Sequence, residues 1–183
     1  MRQKQKKKKS IWKEMISWFF YLVLVFGAIY LIVHYVGDKT VVTGESMSPT
    51  LSDGDSLIVD KISYHFIDPR RYDIVVFPFQ YQEDTFYIKR IIGLPGETVQ
   101  ISEGKVYVNG KVLNDPYAYE EIRNPGLASG PVTLGQDEYF VLGDNRNNSI
   151  DSREPSVGVV SRDDIVGRAV FCIWPANKIG FLG

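Results

Sequence analysis

Two residues of this 183-residue chain combine the chemistry of a hydrolase with the surroundings it needs: Ser46 and Lys89. Ser46 stands in Gly44-Glu45-Ser46-Met47-Ser48-Pro49-Thr50-Leu51, where a proline stiffens the backbone just beyond the hydroxyl. Taken alone, that octapeptide is a turn entering a strand. Lys89 stands in Thr85-Phe86-Tyr87-Ile88-Lys89-Arg90-Ile91-Ile92. Strand alternation puts Tyr87, Lys89 and Ile91 on one face and Phe86, Ile88, Arg90 and Ile92 on the other. Taken alone, Lys89 is a lysine that snorkels to water. Desolvated between apolar neighbours, it is instead a neutral amine able to act as a general base on a serine hydroxyl. Lys61 meets this test less well, because its face carries Ser63 as well as Val59.

A third stretch, Gly143-Asp144-Asn145-Arg146-Asn147-Asn148-Ser149-Ile150-Asp151-Ser152-Arg153, alternates acids and arginines after a strand. It reads either as a solvated loop with chance ion pairs or as a cross-braced loop holding the Ser149 hydroxyl beside the amine. Other chemistries are poorly supplied. The two histidines, His34 and His65, have unrelated surroundings, so neither a histidine-based triad nor a zinc site is expected. The single cysteine, Cys172, lies in the apolar run 169–174, as a buried and inert thiol does.

These groups must be positioned by the rest of the chain. Residues 1–15 carry seven Lys or Arg and one Glu, giving +6; with −1 for the whole chain, −7 remains beyond them. An acidic domain of that kind is a poor nucleic-acid binder. Residues 16–36 carry no Lys, Arg, Asp or Glu. Their length suits a helix across a hydrocarbon core of ~30 Å, which takes ~20 residues. With no Ala-x-Ala after it, the segment reads as an uncleaved anchor, its basic side in the cytoplasm and residues 37–183 outside. From Thr40 on, short Val/Ile/Tyr/Phe runs alternate with Gly, Pro, Asn and Asp. Strands are expected over 40–44, 55–62, 73–79, 85–92, 98–102, 105–109, 138–142 and 166–173, with a hairpin at Glu103-Gly104 and a turn at Asn109-Gly110. Residues 115–136 should loop out, and a short helical turn is expected at 161–164. The fold class expected is mainly β, antiparallel and barrel-like.

Ser46-Met47-Ser48-Pro49-Thr50-Leu51, Tyr72-Asp73-Ile74-Val75-Val76-Phe77, Tyr87 to Glu97 and the 143–153 loop, in this order after an anchor, resemble the boxes of bacterial type I signal peptidases. The small size and single anchor are similar to the Gram-positive branch. The resemblance covers nearly the whole chain. It implies Ser46 as nucleophile, Lys89 as general base, Ser149 as the hydroxyl contacting the amine, and Asp144, Asp151, Arg153 and Arg90 as supports. It implies the signal peptidase/LexA-like catalytic fold, with a short variable β-ribbon region over 97–136. It further implies removal of signal peptides from exported preproteins after Ala-x-Ala, near lipid and the secretion translocon, with no cofactor and no metal. Met47, Tyr87 and Ile88 would line shallow substrate pockets, and Phe77-Pro78-Phe79 and Trp174-Pro175 could rest on the membrane interface. One position departs from some relatives, which have Ser or Thr two residues before the nucleophile where this chain has Gly44. Two other readings share the motifs less well: a cytosolic self-cleaving repressor of similar fold, and an anchored β domain without activity.

Overall fold

The computed structural model describes residues 11–82 and 84–182, with the side chains of residue 11 and of 28–38 excepted. Residues 1–10, most of the basic tail, lie outside the described residues. The chain divides into two units, one ending at Gly37 and one beginning at Asp38.

The first unit is dominated by α1 (Ile11–Val36). Trp12, Met15, Trp18, Phe19, Phe20, Leu24 and Phe26 are all exposed on it. Among the described residues, no helix is long and apolar enough to cross a membrane. Those of α1 with described side chains end at Gly27, and the anchor expected over 16–36 continues past them.

The strands are β1 (Gly37–Val41), β2 (Ser56–Asp60), β3 (Ile74–Pro78), β4 (Phe86–Gly93), β5 (Thr98–Ser102), β6 (Lys105–Val108), β7 (Lys111–Val112), β8 (Val132–Thr133), β9 (Glu138–Leu142), β10 (Val160–Ser161), β11 (Gly167–Trp174) and β12 (Gly180–Phe181). The larger sheet runs β1-β2-β11-β3-β4-β9-β10, with β12 on β11; the smaller runs β7-β6-β5-β8. The paired strands are antiparallel from β2 to β10. The barrel expectation is corrected: β1 and β10 are the two ends of the larger sheet and, among the described residues, no ladder joins them. Alternation and turn spacing specify antiparallel pairing, whereas closure depends on strand tilt and stagger, which those patterns do not encode.

Alternation explains how the core is built. Tyr139 and Val141 of β9 enter one apolar cluster with Val75, Phe77 and Ile91, while Phe140 and Leu142 enter another with Ile92. From Lys89 on, β4 is buried on both faces, as is β9 from Tyr139 on, which suits the apolar residues Ile91-Ile92 and Tyr139 to Leu142. The second cluster includes Val99, Ile101, Val106 and Val108 of the β5–β6 hairpin, whose register pairs Val99 with Val108 and Ile101 with Val106. Gly93 permits this stacking of sheets, since a Cβ there would lie 2.5 Å from the Val99 side chain. Burying each of these side chains contributes roughly 1.5–3 kcal/mol. Phe77 belongs to this core, not to an exposed interface; Trp174 is exposed. The proline-rich stretch 115–136 is mostly loop, interrupted by a 3-10 turn at Gly126–Ser129 and by β8. Arg162–Asp164 forms the short helical turn expected there.

Candidate active site

Ser46 sits in a tight turn between β1 and β2, in which the Ser48 N–H donates to Glu45 O and the Leu51 N–H to Met47 O. Leu51 and Met47 are driven inward and fill the third apolar cluster with Val42, Leu57, Ile74, Ala169 and Cys172. Their burial leaves the Ser46 hydroxyl on the outer side of the turn. Lys89 arrives from β4, on the same face as Tyr87 and Ile91, as alternation requires. Its Nζ lies 2.8 Å from Ser46 Oγ and donates to Ile88 O at 3.0 Å. The Tyr87 ring centre is 4.9 Å from the same nitrogen.

Lys89 is only 4% exposed. Burial lowers its pKa to about 8, since the low-dielectric surroundings penalise the ammonium, while Asp151 and Asp144 pull in the opposite direction. A substantial neutral fraction therefore exists in mildly alkaline solution. An amine 2.8 Å from a serine hydroxyl can then accept its proton.

The 143–153 loop is cross-braced. Asp144 takes two hydrogen bonds from Arg90, at 2.8 Å from Nε and 2.7 Å from Nη2, in a fully buried pair. It also accepts the Thr50 hydroxyl at 2.5 Å. One carboxylate thus connects the strand that carries the base to the turn that carries the nucleophile. Asp151 is held by Arg153 Nε at 2.8 Å and Nη2 at 2.9 Å, and accepts the Gly143 N–H at 3.1 Å. Arg153 Nη2 also donates to Arg146 O, closing the loop on itself. Breaking a buried pair of this kind by removing one partner costs roughly 3–5 kcal/mol.

Ser149 is brought to the same place. An added Cβ on Gly143 would lie 2.3 Å from Ser149 Oγ and 2.4 Å from Ser46 O, so the three residues meet closely. The Ser149 hydroxyl is buried and, among the described residues, without a hydrogen-bond partner, so the contact expected with the Lys89 amine is not made here.

A cleft of about 310 Å³ opens beside Ser46. Residues 40–46 form one wall and Phe86, Tyr87, Ile88 and Lys89 the other, with Asn148 and Ile150 at the side. Val41, Phe86 and Ile150 expose apolar surface around it. In the ladders, β4 pairs with β3 from Phe86 to Arg90 but with β9 only from Arg90 on. Among the described residues, the 86–89 edge facing away from β3 is therefore left without a strand. Tyr87 and Ile88 line the cleft. Met47 does not: it is 1% exposed and packs behind the nucleophile in the core. The sequence patterns gave no role to Thr50 or Asn145, yet both tie the nucleophile turn to the 143–153 loop. His65 is exposed on a 3-10 turn, Lys61 is exposed, and Cys172 is buried.

Comparison with known proteins gives a consistent family. Residues 13–174 match the family model described as signal peptidase, peptidase S26. Signal peptidase I of Leptolyngbya laminosa is 46% identical over 156 residues, which is 81% of this chain and 74% of that protein. Signal peptidase I P of Bacillus subtilis subsp. natto is 35% identical over 186 residues, covering 98% of each chain. The crystal structure of a signal peptidase I from Enterococcus faecalis is 32% identical and covers 56% of this chain and 97% of its own, with a TM-score of 0.45.

Proposed function

Since the chain belongs to the signal peptidase family, peptidase S26, and is a type I signal peptidase, we propose that it removes amino-terminal signal peptides from exported preproteins with a Ser46–Lys89 dyad. The observation that carries this reading is the 2.8 Å approach of a buried, pKa-lowered lysine amine to a serine hydroxyl at the wall of an open cleft.

In this mechanism neutral Lys89 takes the Ser46 proton as Oγ attacks the scissile carbonyl carbon. The tetrahedral oxyanion is met by the Ser46 N–H. The Lys89 ammonium returns the proton to the leaving amine, and the acyl-enzyme forms. Lys89 then activates a water that hydrolyses the ester and regenerates Ser46. Ser149 orients the amine once substrate is seated, and Asp144, Arg90, Asp151 and Arg153 hold the parts in register. The substrate lies extended along the unpaired 86–89 edge, where main-chain hydrogen bonds give affinity and side-chain pockets give selectivity. In this reading the side chains before the cut are small and rest beside Ile88 and Tyr87, in the order Ala-x-Ala.

Residues 16–36 are the membrane anchor in this reading. Their support is the charge-free apolar run, the exposed apolar side chains of α1 as far as Phe26, and the +6 segment before it. The tail is cytoplasmic and the 37–183 domain extracytoplasmic, near lipid and the translocon. The direct experiment expresses wild type and Ser46→Ala in cells and follows preprotein processing, with external protease added to spheroplasts. Ser46→Ala should accumulate at wild-type levels, process nothing, and be digested beyond residue 37. Near-normal processing by that variant would sink the dyad; full protection would sink the orientation.

A further inference from the structure

The peptide unit joining Glu45 to Ser46 carries the N–H on which the proposed oxyanion stabilisation depends. Gly44, two residues before the nucleophile, has no hydroxyl to add, and the space around its Cβ position is empty. Something else must hold the hole in shape. Asn145 binds two consecutive carbonyls of the nucleophile turn: its Nδ2 donates to Glu45 O at 3.1 Å, an oxygen that also accepts the Ser48 N–H at 3.1 Å, and its main-chain N–H donates to Ser46 O at 3.1 Å. Among the described residues, the Ser46 N–H takes no part in the backbone hydrogen bonds of its own turn.

A trans peptide is planar, so its C=O and N–H point in opposite directions. Whatever holds the Glu45 carbonyl therefore also aims the Ser46 N–H. The Asn145 amide sits on the carbonyl side, and only its NH₂ end can satisfy an oxygen there. Turning this one peptide over would swing the Glu45 carbonyl toward the developing oxyanion, replacing a donor with an acceptor. Glu45 and Ser46 both line the cleft, so the consequence would fall on the bound substrate.

We infer that Asn145 is a positioning residue of the oxyanion hole, acting through the Glu45–Ser46 peptide rather than by touching substrate. The inference rests on the assignment of Ser46 as nucleophile. The main-chain bonds from Asn145 to Ser46 O and from Ser48 to Glu45 O survive any substitution at 145, so the test reads what the side chain adds to them. Asn145 is only partly buried, so exchanging it need not disturb the core.

The test uses the purified full chain and two peptides, identical except for sulfur in place of oxygen at the scissile carbonyl. Asn145→Leu keeps the approximate shape and removes the donor. Deleting an oxyanion donor costs ~10²–10³ in kcat, so misaiming one should cost about 10- to 100-fold. KM should stay within about twofold, because the hole acts on the transition state and not on the bound substrate. The acid limb of the pH profile should not move, since no charge is introduced. The wild-type preference for oxygen over sulfur should shrink in Asn145→Leu, because hydrogen-bond donors favour the oxyanion. A variant whose nucleophile is merely displaced loses both substrates equally. Asn145→Asp, which turns an oxygen toward the Glu45 carbonyl, provides a second and more soluble variant and should lose at least as much kcat. Wild-type kcat in both variants, or an unchanged oxygen preference, overturns the inference. Ser46→Ala run alongside separates the two failures: an active Ser46→Ala removes the underlying assignment, whereas an inactive one beside a fully active Asn145→Leu removes this inference alone.

Discussion

Replacing Lys89 with methionine should abolish activity and at the same time stabilise the fold at neutral pH. The side chain is 4% exposed, and burial is the leading cause of its lowered pKa. Moving that pKa from 10.5 to about 8 disfavours the buried ammonium; at 1.36 kcal/mol per pH unit this is about 3 kcal/mol. The sign follows from proton linkage. Between the folded and unfolded pKa values the unfolded chain binds more protons, so stability rises with pH there. The full cost is present below pH 8 and disappears as pH approaches 10.5. Methionine has similar length and no charge, so Lys89→Met should gain up to about 3 kcal/mol at pH 6.5 and little at pH 10.5. Denaturant unfolding of both proteins at those two pH values measures the difference. The companion measurement is kcat/KM of wild type against pH, which should rise along one acid limb with its midpoint near 8, the pKa of the base. No limb near ~6.5 is expected, since neither histidine belongs to the site. A Lys89→Met protein less stable at both pH values, or a wild-type profile flat from pH 5 to 9, would refute the desolvated-base account.

Gly143→Ala should be inactive and destabilised, because its Cβ would lie 2.4 Å from the Ser46 carbonyl, which is backbone and cannot swing away. Single-turnover kinetics alongside unfolding would show both losses, and an active, stable Gly143→Ala would mean that the loop does not abut the nucleophile. Met47→Ala tests the core placement of Met47: it should cost about 2–5 kcal/mol in stability, with peptide KM nearly unchanged. A raised KM without a stability loss would return Met47 to the substrate cleft.

Much of this arrangement was legible because it is periodic. Alternation along 85–92 separated Lys89 from Arg90, and the structure sends them to Ser46 and Asp144 respectively. The hairpin at Glu103-Gly104 was legible from turn residues, which supply the positive φ found at both positions. What was not legible depends on partners distant in sequence. The two-residue strands β7, β8, β10 and β12 have no period of their own and exist because longer neighbours offer them an edge. Met47 is a pocket residue by expectation, but the turn points it inward with Leu51. Thr50 and Asn145 are ordinary loop residues in the sequence, and only the meeting of segments about a hundred residues apart gives them work.

The acids around the base pose a problem that the arginines answer. Asp144 and Asp151 both act to raise the Lys89 pKa, and two unpaired carboxylates so close would favour a permanent ammonium, useless as a base. Arg90 and Arg153 each cover one of these carboxylates with two short hydrogen bonds inside the protein. Their positive charges offset the acids, so that burial remains the dominant influence on the amine. The carboxylates are still needed, for Asp144 connects to Thr50 and Asp151 to the Gly143 N–H, fixing the loop against the nucleophile turn. The paired charges thus brace the site mechanically, while burial outweighs the pull of the two acids on Lys89. A loop rich in Asp and Arg can in this way sit beside a lysine whose pKa stays lowered by burial.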